Sequence, residues 1–144
     1  MTLPEKKNRL LAELNRFRNS QERFAHIVER AREVSSLSPQ ERADSFRVPG
    51  CLSKLWLVST WREGRCYFAA DAESAIVKSI AVLLCEFYSG QTPEEILKID
   101  PSFLGEVGIT QHLTPNRRNA LSRVWETIRT FAQSYAGGTE RRTP

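Results

Sequence analysis

Three thiols, Cys51, Cys66 and Cys85, are the nucleophiles with the most to offer in this chain, and only two histidines, His26 and His112, accompany them. Cys51 differs from the other two by its setting, Val48-Pro49-Gly50-Cys51-Leu52-Ser53-Lys54-Leu55-Trp56-Leu57, where a Pro-Gly turn runs into an apolar, β-favouring stretch. Pro49 fixes its own φ and Gly50 admits backbone conformations closed to other residues. Together they place Cys51 on a short projecting loop that Trp56 anchors downstream. A thiol on a turn can meet another protein, whereas one inside a strand or helix packs as a small apolar group. The plain alternative for Cys51 is such a packing residue that happens to follow a turn. Cys66, beside Tyr67 and Phe68, and Cys85, among Leu83, Leu84 and Phe87, are expected to be inert core residues.

The thiolate is the reactive form, and an ordinary cysteine with a pKa near ~8.5 is only a few per cent ionised at neutral pH. That fraction suffices when the sulfur under attack is already activated, so a sulfur acceptor needs no histidine beside it. A cysteine hydrolase does need a base within hydrogen-bond reach, and here only His26 or His112 could supply it. His26 is expected to be a solvated residue on a charged helix. His112, in Gln111-His112-Leu113-Thr114-Pro115, precedes a helix start and is expected to make a structural hydrogen bond.

Composition removes several classes. At 144 residues the chain fits one domain, read as residues 1–136 with a disordered tail over 137–144. Its longest apolar stretch, Ile80 to Cys85, is far below the roughly 20 residues a bilayer span needs, and the start of the chain lacks the apolar block of a signal peptide. A cytoplasmic protein with reduced thiols is expected, and membrane binding is not. An odd cysteine count without a CxxC pair or a Cys/His quartet argues against a disulfide framework and a structural zinc site. The net charge of +4 could point to nucleic acid, but acids alternate with bases, as in Glu29-Arg30-Ala31-Arg32-Glu33, the pattern of a solvated helix face. No glycine-rich phosphate loop is present, and Lys78, the one lysine inside an apolar element, lacks a phosphate motif that would go with pyridoxal phosphate. No cofactor is expected.

The elements that must position Cys51 follow from periodicity. Leu10, Leu11, Leu14 and Phe17 mark a helix over Glu5 to Arg18, and Asn19-Ser20-Gln21-Glu22 is a capping box opening a second, with Phe24, Ile27, Val28 and Ala31 on one face. Phe46 to Val48 is predicted to be a short strand. Leu55 to Trp61 and Cys66 to Ala69 are predicted to form a hairpin around Glu63-Gly64. A wide apolar stripe from Ile76 to Phe87 ends at Gly90, and Asp71-Ala72-Glu73 is placed at the start of that helix, where its dipole favours carboxylates. Thr92-Pro93-Glu94-Glu95 opens a short helix, a turn-rich segment covers Gly105 to Pro115, and the last helix carries Leu121, Val124, Trp125, Ile128, Phe131 and Tyr135. The pair Arg117-Arg118 sits where the helix dipole disfavours positive charge, which hints at docking. The sum is an α+β domain: a small antiparallel three-stranded sheet with helices packed on one face.

Three segments in this order resemble the SufE family of sulfur-acceptor proteins in iron–sulfur cluster assembly. They are Gly50-Cys51-x-Ser53-x-Leu55-Trp56, Asp71-x-Glu73-x-x-Ile76-Val77-Lys78 and Gln111-His112-Leu113-Thr114-Pro115-x-Arg117, and the similarity runs from about Leu10 to Phe131. The resemblance implies the α+β fold shared with IscU-type scaffolds. It implies a cysteine desulfurase as sulfur donor and an iron–sulfur scaffold complex of the SufBCD kind as recipient, with Cys51 as acceptor and Asp71, Glu73, His112 and Arg117 at the partner contact. Ala70, Glu73, Ser79 and Ala120 depart from the family pattern and leave open which desulfurase is served, since the sister CsdE-type acceptors serve a different one from the SufE type; a homodimer is also left open. The competing reading on the same fold is an iron–sulfur scaffold, which needs three thiolates converging on a cluster.

Overall fold

A two-residue turn sets the sheet. In the computed structural model, which describes residues 1–137, Glu63 and Gly64 both take positive φ (52° and 80°), the conformation whose twist suits a tight hairpin. It joins β1 (Leu55–Arg62) to β2 (Arg65–Ala72) in the register Arg62↔Arg65 through Leu55↔Ala72. The alternation then sorts the side chains. Leu55, Leu57, Cys66, Phe68, Ala70 and Ala72 share the buried face, with Trp61 partly buried against the same core.

Among the described residues six helices surround the hairpin: α1 (Leu3–Asn15), α2 (Ser20–Arg32), α3 (Ala75–Tyr88), α4 (Pro93–Lys98), α5 (Ile109–His112) and α6 (Pro115–Tyr135). The most apolar of them, α3, lies along β2 and is packed in turn by α2 and α6. Its residues are buried on nearly every side, as a helix enclosed by a sheet and two other helices requires. On α6, Ala120, Val124, Ile128 and Ala132 form the buried stripe, and Trp61 stacks on Tyr135 with ring centroids 4.1 Å apart. The α2 cap is half of the predicted box. Asn19 accepts the Glu22 amide at 2.9 Å, but the Glu22 carboxylate turns to Arg18 instead of returning to Asn19. The turn-rich segment before α6 is ordered as a 3-10 stretch, Pro101–Val107, followed by the single turn of α5.

The α+β class holds, but the third strand does not. Among the described residues the sheet has two strands, and Phe46 to Val48 contributes only an isolated bridge, Arg47↔Trp56, with the Val48 N–H donating to the Leu55 carbonyl at 2.8 Å. A 3-10 turn over Asp44–Phe46 precedes that bridge, and Pro49, which has no N–H, follows it, so no ladder can extend in either direction. Of the tail expected at 137–144, residues 138–144 lie outside the described residues.

Gly108 joins the 3-10 stretch to α5 with φ +75°, and a Cβ there would sit 2.8 Å from the Ser20 Cβ at the start of α2. Left-handed strain and a collision with a helix terminus act together. Gly108→Ala is expected to lower the unfolding free energy by about 2–3 kcal/mol, seen as a reduced urea midpoint with an unchanged slope. A shift within about 0.5 kcal/mol would mean that this junction relaxes freely.

Candidate functional site

The chain leaves its single bridge at Val48 and turns through Pro49 and Gly50, the latter at φ +82°. The requirement for glycine there has two causes. One is the left-handed backbone; the other is α6, because a Cβ on Gly50 would lie 2.8 Å from Arg123 Nε. Asn119, one helical turn before Arg123, donates from Nδ2 to the Gly50 carbonyl at 2.8 Å. The Cys51 loop is thus tied to α6 through the Gly50 carbonyl, with the Arg123 side chain alongside.

Cys51 itself is half-buried and packs against the edge of the core, while the next residue, Leu52, is 82% exposed. Burial pushes the Cys51 thiol above its ordinary value, and the positive charges of Arg123 and Arg47 pull it part of the way back. The other two thiols are different. Cys66 is buried in β2 and pushed up to about 11 by burial, with Glu94 adding to the effect. Cys85 is buried in α3 and is raised further, again chiefly by burial.

The far end of the loop is closed by Glu73. Its N–H donates to the Lys54 carbonyl at 3.0 Å, and its carboxylate accepts the Lys54 N–H at 3.2 Å. Glu73 is exposed and spends one carboxylate oxygen on the loop, leaving the other toward solvent.

Asp71 occupies a different position from the one its sequence neighbourhood predicts. It belongs to β2, four residues before α3 starts behind its Ser74 cap, so it does not sit in the first turn of the helix. It is 3% exposed. Its Oδ2 accepts the Leu37 N–H at 3.1 Å, its Oδ1 accepts the Ala72 N–H at 2.9 Å, and Lys78 and Arg42 lie at 3.6 and 3.7 Å. A carboxylate so enclosed does not face a partner in the isolated chain. It ties the segment between α2 and β1 to the sheet face opposite the helices. There Arg42 also covers the Trp56 ring at 4.5 Å from its centroid, and the Trp56 indole N–H is buried without an acceptor.

His112 ends α5, exposed, with its ring 5.1 Å from that of Phe24. It makes an aromatic contact where a structural hydrogen bond was expected. Arg117, half-buried, and Arg118, exposed, open α6, and neither forms an ion pair among the described residues. Their helix is capped by Thr114, whose hydroxyl accepts the Arg117 N–H at 3.4 Å. His26 is not the solvated residue expected: half-buried, it meets Glu13 at 3.1 Å and lies over Phe17. No hydrogen bond joins either histidine to Cys51 among the described residues, so the base that a cysteine hydrolase needs is not in place.

The structure brings Cys51, Glu73 and the start of α6 into one neighbourhood and keeps Asp71 beneath it. It adds Asn119 and Arg123, which sequence reading passed over. Their four-residue spacing put them on one helix face, but nothing local indicates that this face meets the Gly50 peptide. Arg42 was missed for the same reason.

Comparisons with known proteins bear on the fold and on the family. The solution structure of a hypothetical protein from Thermus thermophilus superposes with a TM-score of 0.74 at 22% identity, over 92% of this chain and 96% of the other, which establishes a shared fold. A family model described as the SufE Fe-S metabolism associated domain matches residues 8–132. That span contains the cysteine loop, Glu73 and all of α6 but its last three residues, and the chain belongs to the SufE family.

Proposed function

We propose that the protein is a sulfur acceptor: Cys51 takes the outer sulfur of a persulfide carried by a cysteine desulfurase and hands it to an iron–sulfur assembly scaffold. The observation that carries this reading is the contrast among the three thiols. Cys51 alone is partly open, on a loop beside exposed Leu52, while Cys66 and Cys85 are sealed in the core.

The chemistry balances without a cofactor of its own. The Cys51 thiolate attacks the outer sulfur of the donor persulfide, the donor S–S bond breaks, and the donor leaves as thiolate, so Cys51 becomes Cys51–S–SH with no external oxidant. Delivery is the same exchange in reverse sense, with a recipient thiolate attacking the outer sulfur. Half-burial fits this work, because cover from the core edge slows small reductants until a docked partner moves the loop. Donor contact is assigned to the exposed Arg118, the half-buried Arg117, Glu73 and His112, while Asp71 contributes by holding the sheet end beneath the loop.

The scaffold alternative has less support. Cys66 and Cys85 are buried in β2 and α3, and among the described residues no three His, Cys, Asp or Glu side chains are gathered as metal ligands. None of the described helices is long and apolar enough to cross a membrane.

Intact-mass analysis after mixing with a desulfurase and free cysteine tests the reading. The expected result is a gain of one or more sulfur atoms, reversed by reductant, absent in Cys51→Ser and retained in Cys66→Ala and Cys85→Ala. A serine variant that gains sulfur as the wild type does would refute it.

A further inference from the structure

Arg123 has no evident role in holding the fold together. It is exposed and forms no ion pair among the described residues, yet its guanidinium lies against Gly50, one residue before the thiol, where an added Cβ would meet Nε at 2.8 Å. Asn119 binds the same peptide through the Gly50 carbonyl. Arg47, on the chain entering the loop, is the other cation that bears on Cys51, and no acidic group offsets the two. Glu73, the carboxylate at the far end of the loop, is engaged with the Lys54 amide.

We propose that Arg123 is the positioning residue of the sulfur relay: set against Gly50 beside the Asn119 contact, its positive charge favours Cys51 as the attacking and as the departing thiolate. The inference rests on the reading of Cys51 as a sulfur acceptor and adds the group that tunes it. One cation serves both directions of the exchange. On acceptance it stabilises the Cys51 thiolate that attacks the donor persulfide. On delivery the recipient thiolate attacks the outer sulfur, the Cys51–sulfur bond breaks, and the same cation stabilises Cys51 as the departing thiolate. Arginine suits the task because its planar fork can cover a peptide and keep its charge at any working pH.

The test uses the full chain and follows alkylation of Cys51 by iodoacetamide between pH 6 and 10, read by peptide mass, in wild type, Arg123→Gln and Arg123→Lys. A unit charge this close to a surface thiol is worth about three- to tenfold in thiolate population. The Gln profile is therefore expected to move to higher pH and to fall about three- to tenfold below wild type at pH 7.5, with the gap narrowing in about 1 M salt. The Lys variant, which keeps the charge, is expected to recover most of the loss. A packing role alone would leave the pH profile in place.

Superposed Gln and wild-type profiles would overturn the proposal, as would a Lys variant as slow as Gln. Loss of folded structure in the Gln variant would also overturn it, by making Arg123 a packing residue. Alkylation requires no desulfurase, so the two ideas fail separately. A wild type that never gains sulfur sinks the relay while leaving the effect of Arg123 on the thiol intact. A wild type that gains sulfur, with an unmoved Gln profile, sinks this inference alone.

Discussion

One alkyl group, on Cys51, is the expected product when the native protein is treated briefly with iodoacetamide at pH 8, although three cysteines are available. Alkylation consumes thiolate, and the three thiols differ in both thiolate content and access. Cys66, pushed up to about 11, is only about one part in a thousand thiolate at pH 8 and lies beneath the sheet. Cys85 is raised further and is enclosed in α3. Cys51 is raised by burial as well, but two arginines oppose the shift and its loop is open on one side. The combined difference in rate is about a hundredfold or more in favour of Cys51. The sign with pH follows from the thiol's being the protonated acid: labelling of Cys51 rises about tenfold per unit as pH increases toward its pKa, then levels. Peptide mapping by mass reads all three sites at once, and a urea-unfolded control should label every cysteine. Equal labelling of Cys66 in the native state would mean that the hairpin opens far more readily than its packing implies.

The largest effect on stability is expected at Asp71. Its carboxylate is enclosed and accepts two backbone N–H groups beside Lys78, which is 17% exposed in its side chain. Asp71→Ala leaves both amides without their acceptor and strands a mostly buried ammonium. The cost is about 3–5 kcal/mol, the range for breaking a buried pair by removing one partner. Arg42, 40% exposed and 3.7 Å away, adds little, because solvent screens it. Asp71→Asn keeps an acceptor oxygen and loses the charge, so it is expected to fall between alanine and wild type, at about 1.5–3 kcal/mol. Urea unfolding measures both through the shift in midpoint. Hydrogen exchange at the Leu37 amide should lose protection in the alanine variant, since that N–H points at the missing oxygen. An alanine variant within about 1 kcal/mol of wild type would show that the segment between α2 and β1 is held by something other than this carboxylate.

Both expectations bear on function through the same geometry. The segment that Asp71 fastens lies just upstream of Arg47, and the loop that carries Cys51 is fastened to α6 by Asn119 at Gly50 and to the sheet end by Glu73 at Lys54. The thiol therefore sits on a short span between two restraints, one on α6 and one at the sheet end.

How far the chain announced this differs from element to element. The helices and the hairpin were legible because their signals are local: the spacing of Val124 and Ile128, the Thr92-Pro93 start, and the two positive-φ positions at Glu63-Gly64 each depend on residues within one or two turns. The turn that carries Cys51 was legible for a related reason, since Pro49 and Gly50 dictate a turn wherever they fall. The expected third strand failed because alternation over three residues cannot register the lack of an N–H at Pro49 or the 3-10 turn that ends at Phe46. Asp71 was misplaced by a helix-dipole argument that assumed the helix began at once, whereas Ser74 caps it three residues later. The contacts that hold the site were decided by tertiary structure alone. Asn119 and Arg123 reach Gly50 across 69 and 73 residues of chain, and Asp71 meets Leu37 across 34. Periodicity tells which face of a helix is polar, but only the packing of α3 and α6 against the hairpin determines which peptide that face touches.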